Sequence, residues 1–333
     1  MSATTGDVRP TSAANNWRTP LVIIVCGCII ALLSFGPRSS LGFFVQPMSR
    51  EFAWGRDVFG LALALQNLLW GLGQPIAGAI ADRFGIVRVM VVGALLYAGG
   101  LFLMRYSATP LSLALATPAQ AVTNTPAADE QSFKTALAEA FGHRSYVLLV
   151  LGFFTCGFQL AFITVHLPAY LVDRGIPAST GGWVLAAIGL FNIIGSLSVG
   201  WLQNIFPKRY ILSVIYFTRA LAMFTFISFP TTTFSAIAFG AVCGLTWLST
   251  VPPTSALVAL MFGTRWFSTL YGFAFVSHQV GGFLGVLLGG IVFEKFGSYA
   301  PLWWLSVLFG VLSALINLPI VEAPVARPVA RRA

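Results

Sequence analysis

A chain of 333 residues with 57% apolar residues, 9% charged residues and a net charge of +9 lacks the roughly 25% charge that a soluble domain spreads over its surface. Its long apolar runs suffice to cross about 30 Å of hydrocarbon as helices. The composition argues against a water-soluble enzyme, and the singly scattered basic residues argue against a nucleic-acid surface.

In chain order, the first 19 residues are polar and carry Arg9 and Arg18. The apolar stretch after them is too long for a signal-peptide core and has no clear cleavage site, so a retained helix is expected. Apolar segments follow near 20–46, 58–80, 89–106, 146–171, 178–202, 210–229, 233–258, 265–293 and 298–320. The fold class predicted is all-α, a polytopic helical membrane protein with about nine full spans. Between the third and fourth segments lies a polar loop whose later part places Phe133, Leu137 and Phe141 at helical spacing. That pattern predicts a short amphipathic helix on the membrane surface. Cys26, Cys28, Cys156 and Cys243 all fall inside predicted spans, where disulfides and metal sites are not expected. His143, His166 and His278 are too scattered to suggest zinc. No cofactor is implied.

Lys and Arg in short loops set orientation. Arg9, Arg18, Arg83 and Arg88 place the N-terminus and the second loop in the cytoplasm. Lys134, Arg144, Lys208, Arg209, Arg265 and the arginines of the C-terminal tail place the second part with its C-terminus inside. The two readings clash at the junction: the chain leaves residue 106 outside and reaches residue 144 inside. The candidate crossing, "LSLALATPAQAV", is twelve residues, about 18 Å of helix. It is either a short proline-bent span or the scar of an internal deletion that removed an odd number of helices, and the deletion is favoured.

"GAIADRFGIVR" resembles the G-x-x-x-D-R-x-G-x-x-R signature of the major facilitator superfamily, carried by Gly78, Asp82, Arg83, Gly85 and Arg88. "GWLQNIFPKRY" is similar to a degenerate second copy, with Asn204 in place of the acid. "GPRSSLGFF", "HLPAYLVDRG", "WLSTVPPTSALV" and "SHQVGGFLG" resemble the monocarboxylate and oxalate/formate antiporter-like branch. That resemblance implies twelve helices in two six-helix halves and transport of small organic anions. It also implies an incomplete N-terminal half here, with helices four to six missing. The domains expected are a tail at 1–19, a three-helix repeat at 20–106, a junction and linker at 107–145, a six-helix half at 146–320 and a tail at 321–333. The branch's charged pair in helix eight aligns with Asn192 and Ser196, so substrate identity does not carry over.

All ten acidic residues fall in loops, tails or helix ends, whereas Arg38, His166, Arg219 and His278 lie within spans. Intramembrane charge is costly and points to function by default. Arg38, His166 and His278, with Asn192 and Gln279, are the substrate-site candidates. Each has a plainer reading: Arg38 reaching the interface, the histidines and amides bonding between helices. Arg219, on a peripheral helix of the implied fold, is expected to be structural and bonded to carbonyls. Pro252 and Pro253 should bend their helix and free carbonyls that need partners. The reading is a secondary transporter of a small organic anion, with His278 or His166 able to carry a coupled proton. Its setting would be the plasma membrane (a bacterial inner membrane), with both termini cytoplasmic. The alternative is an internally deleted, transport-inactive membrane protein or interaction partner.

Overall fold

The computed structural model describes scattered helical positions between 42 and 51, then residues 55–84, 86–104 and 133–325. Arg38, Gly85, the junction at 107–122 and both tails lie outside the described residues, as do the side chains of Gly78, Asp82, Arg83 and Arg88.

Ten helices follow one another among the described residues: α1 Arg56–Phe84, α2 Ile86–Met104, α3 Phe133–Gly142, α4 Arg144–Asp173, α5 Ala178–Leu202, α6 Lys208–Ser228, α7 Thr233–Thr246, α8 Val251–Phe262, α9 Phe267–Phe296 and α10 Ala300–Asn317. Six segments between residues 144 and 317 are long and apolar enough to cross a membrane by length and composition, with α7 and α8 counted together.

The apolar segment expected at 233–258 is two helices, not one. Helix α7 ends at Thr246 and α8 begins at Val251, with Pro252 and Pro253 in its first turn. Proline has no N–H to give to the carbonyl four residues earlier. Val251 N turns to Leu248 O at 2.9 Å, so Trp247 O loses its intrahelical partner.

Helix α4 is the centre of the bundle. Its buried residues face almost every direction, from Tyr146 and Phe153 to His166 and Leu171. An all-round apolar helix is a buried one. Helix α9 packs between α4 and α1 through two separate glycine rows. A side chain at Gly281 or Gly285 would meet the backbone of Phe154 and Phe158 in α4, and one at Gly289 would meet the His166 ring. A side chain at Gly272 or Gly290 would meet Pro75 or Arg56 in α1. Small residues let helix backbones approach where lipid supplies no hydrophobic drive. Helices α5 and α7 pair the same way, Gly195 against Leu245 and Gly244 against Ile188. Helix α3 buries Ala136 and Ala140, and its Phe141 ring sits edge-on to Tyr146 and Phe273.

Candidate functional site

Three polar centres occupy the bundle. The first surrounds the break between α7 and α8. Arg219, on α6, is fully buried, and a guanidinium has five N–H groups to satisfy. Nε faces Thr246 Oγ1 at 3.4 Å, and Nη1 faces Gln159 Oε1 at 3.3 Å and Cys156 Sγ at 3.5 Å. Nη2 donates to Thr246 O and, at 3.3 Å, to Trp247 O. Every donor therefore has an acceptor, and no carboxylate is among them. The carbonyls left by the broken helix are what make this possible.

The same break recruits neighbours. Asn192 Oδ1 accepts from Leu248 N at 3.0 Å, so this sequence-predicted site residue is engaged with backbone. Cys156 Sγ lies 3.2 Å from Thr250 Oγ1, and Gln159 Nε2 donates to Ser306 O at 2.8 Å. Cys156 also interacts with the His278 side chain, which connects the first centre to the second.

The second centre is the α4–α9–α1 seam. The His278 ring stacks on Phe275 at 5.3 Å and lies 4.8 Å from Phe153. Its Nδ1 is 3.2 Å from Gln279 Oε1. Gln279 and Gln74 are both buried, and neither Nε2 has a hydrogen-bond partner. Gln74 escaped the sequence reading. Nothing in the chain order places it against α9, where a side chain at Gly272 would meet its backbone.

The third centre caps the end of the bundle that carries Asp173. Arg56 makes a two-pronged bond to Asp173, 2.7 Å from Nη1 and 3.0 Å from Nη2. Nη1 also donates to the Tyr299 hydroxyl at 3.0 Å, and the guanidinium lies 3.9 Å over the Phe293 ring. The Arg56 backbone N–H donates to Glu294 at 2.8 Å. One residue at the start of α1 thus ties together the ends of α4 and α9 and the start of α10. Burial pushes the Tyr299 phenol up to about 12 against the opposing pull of Arg56. Two turns before Asp173 on α4 lies His166, whose Nε2 is 2.9 Å from Val286 O while its buried Nδ1 is unpartnered. Its ring faces Tyr299 at 5.2 Å.

Of the sequence-predicted site residues, His278 and Gln279 come together, and His166 sits toward the Asp173 end. Asn192 belongs to the helix break with Arg219. Gly78, Asp82 and Arg83 fall near the end of α1, and Arg88 near the start of α2. Among the described residues no group of His, Cys, Asp and Glu could hold a metal.

An MFS-type transporter of Bacillus subtilis (strain 168), YcxA, itself uncharacterized, is 24% identical over 372 residues, covering 84% of this chain and 90% of that protein. The multidrug resistance protein MdtH of Yersinia pestis (strain Pestoides F) is 43% identical over 83 residues, 23% of this chain and 20% of its own length. Among solved structures, the Escherichia coli fucose:proton symporter FucP aligns at TM-score 0.48 and 15% identity, covering 85% of this chain and 88% of that one. A bacterial homologue of the human lysosomal transporter Spinster aligns at TM-score 0.45 and 13% identity, over 86% and 95%. A family profile described as Major Facilitator Superfamily matches residues 27–127, 111–286 and 149–333, and the chain belongs to that superfamily of membrane transporters.

Proposed function

We propose that the chain is a secondary active transporter of small organic anions of the monocarboxylate type, working by alternating access. One observation carries the sign of the substrate. The acidic residues described all lie at helix ends, on the short α3 or in loops, while Arg219, His166 and His278 lie within spans. Carbonyl dipoles solvate the Arg219 charge without cancelling it, so the interior favours an anion. Arg38, His166, His278, Asn192 and Gln279 are the residues proposed to meet substrate, with Arg219 holding the scaffold. Histidine titrates near neutral pH, so His278 or His166 is the proposed carrier of a coupled proton. The Asp82 segment, from Gly78 to Arg88, is the proposed gating motif.

The proposed orientation has both termini in the cytoplasm and the Arg56–Asp173 end outside. The proposed architecture is nine full spans, with three helices of the family plan absent at the junction. The YcxA alignment supports this. It runs over 372 positions, whereas 84% of a 333-residue chain is about 280 residues. About 90 aligned positions therefore have no residue here, enough for three helices with their loops at ~20 residues per span. That same observation favours the second reading, a chain that inserts but transports nothing.

Uptake by the full chain in proteoliposomes decides between them. Saturable uptake of labelled lactate, pyruvate or related acids is expected, and its absence from correctly inserted protein overturns the transport reading. Single cysteines at Ser107, Thr125 and Ala333 test the topology with a membrane-impermeant thiol reagent. Ser107 should label from outside, and Thr125 and Ala333 only after the membrane is opened. Free labelling of Thr125 in intact cells removes the crossing proposed at 107–122.

A further inference from the structure

The seam between α1 and α9 is closed by small residues yet contains two unpaired amides. Along α1 the residues facing α9 are Gly60, Asn67, Gly71 and Gln74, a heptad-like spacing. A side chain at Gly71 would meet the Gln279 side chain, and one at Gly272 would meet Pro75 and, at 3.4 Å, the Gln74 backbone. Gln74 is 2% exposed and Gln279 1% exposed. Both carry an amide nitrogen without an acceptor. Amide donors left bare in hydrocarbon are costly, and buried polar groups are otherwise nearly always paired. Two such groups in one seam call for an acceptor that arrives from elsewhere.

The surroundings describe that acceptor. Trp70 and Phe275 meet edge to face at 5.0 Å, and Phe153 and Phe275 both lie against His278. Two neutral N–H donors and an imidazole, set in an aromatic wall, fit a carboxylate carried on a small apolar body. Neutral donors suit a carboxylate that must also be released, since a buried ion pair is harder to part.

We propose that Gln74 and Gln279 are the carboxylate ligands of the transporter, engaging the acid when α1 and α9 separate and losing it when the seam closes. This rests on the anion-transport reading and adds Gln74 as a substrate-binding residue. The test uses the full chain in proteoliposomes with lactate and benzoate as probes, comparing wild type, Gln74→Leu, Gln279→Leu and Gln74→Glu. Each Leu variant should raise KM about tenfold or more, with kcat within about threefold, as expected for a lost hydrogen bond to a charged group. Gln74→Glu should abolish saturable uptake through like-charge repulsion. Thermal unfolding of the empty protein should hold or rise in Gln74→Leu, because an unpaired amide nitrogen has been removed, whereas Gln279→Leu also gives up the 3.2 Å contact of Gln279 Oε1 with His278 Nδ1. If wild type takes up acids while the Leu variants keep its KM, or lose stability and kcat instead, the amides are structural and this proposal alone fails. If wild type shows no saturable uptake of either acid, the anion-transport reading fails and the proposal falls with it.

Discussion

The buried Arg219 and the partly buried Arg56 solve one electrostatic problem in opposite ways. Arg56 lies at an end of the bundle and is neutralised by a carboxylate, Asp173. Arg219 lies in the middle of α6 and has no acid among its partners. Two of its N–H groups reach the Thr246 and Trp247 carbonyls at a break in the neighbouring helix, and the other three find Thr246 Oγ1, Gln159 Oε1 and Cys156 Sγ. At the rim, water tempers the penalty on both charges of a pair, so an ion pair is affordable. In the middle a second charge would have to be desolvated as well, so fixed dipoles are the better partner. The broken α7–α8 helix is therefore the counterpart of Arg219 rather than an irregularity beside it.

The largest effect is expected from removing the central cation. Arg219→Leu leaves the carbonyls of Thr246 and Trp247 and the Gln159 oxygen short of donors. At about 1–3 kcal/mol for each buried group left unsatisfied, a loss of about 3 kcal/mol or more is expected, read as a large fall in Tm in detergent. Arg219→Lys keeps the charge but offers three donors from one point and should recover only part of the loss. A Leu variant as stable as wild type would mean that the break holds itself open.

Next comes the rim. Arg56→Ala, Asp173→Ala and the double variant form a cycle that isolates the pair. The two-pronged geometry and partial burial, 12% and 29% side-chain exposure, place the coupling at about 1–2 kcal/mol, above an ordinary surface pair. The coupling should weaken in high salt, whereas the stability that Arg219 supplies should not. Equal salt sensitivity at the two sites would erase the distinction drawn between them.

Much of this contrast was legible in the sequence, for reasons particular residues make plain. Hydropathy located the six apolar segments between residues 144 and 317 because lipid demands a continuous apolar stretch. Pro252 and Pro253 announced freed carbonyls, and Arg219 stood out as a cation in an apolar run. The break itself was missed, since 233–258 reads as one unbroken apolar segment. The pairing of Arg56 with Asp173 is not legible in the sequence, because the two are 117 residues apart and nothing local joins them. Gln74 hid for the same reason. Its significance depends on α9 lying across α1, which is a fact of packing. The positions of Arg38 and of the junction at 107–122 lie outside the described residues.

A smaller effect is expected at the edge of the break. Asn192→Leu removes the acceptor of the Leu248 N–H and should cost about 1 kcal/mol, the net worth of one hydrogen bond. Asn192→Asp should restore stability, because the oxygen that accepts from Leu248 N–H is retained. If Asn192→Leu alters acid uptake without altering Tm, the residue serves substrate rather than the break.

The smallest effect separates the two arginines by pH. Tyr299 accepts from Arg56 at 3.0 Å, so Tyr299→Phe at neutral pH loses one hydrogen bond at the rim, about 0.5–1.5 kcal/mol. Burial raises the phenol from 10.0 to about 12, with Arg56 pulling the other way. An acid whose folded pKa is raised contributes stability that is complete below its unfolded value. Here that contribution is present below pH ~10 and fades as pH rises towards about 12, since the unfolded chain then releases the proton more readily. Wild type should therefore lose stability between pH 10 and 12 more steeply than Tyr299→Phe. The difference between the two proteins should be flat from pH 6 to about pH 9, where the phenol holds its proton in both states. Thermal unfolding across that range provides the measurement. If the difference is already sloping at pH 7–8, the rim is governed by another titrating group, and His166, which faces Tyr299 at 5.2 Å, is the residue to replace next.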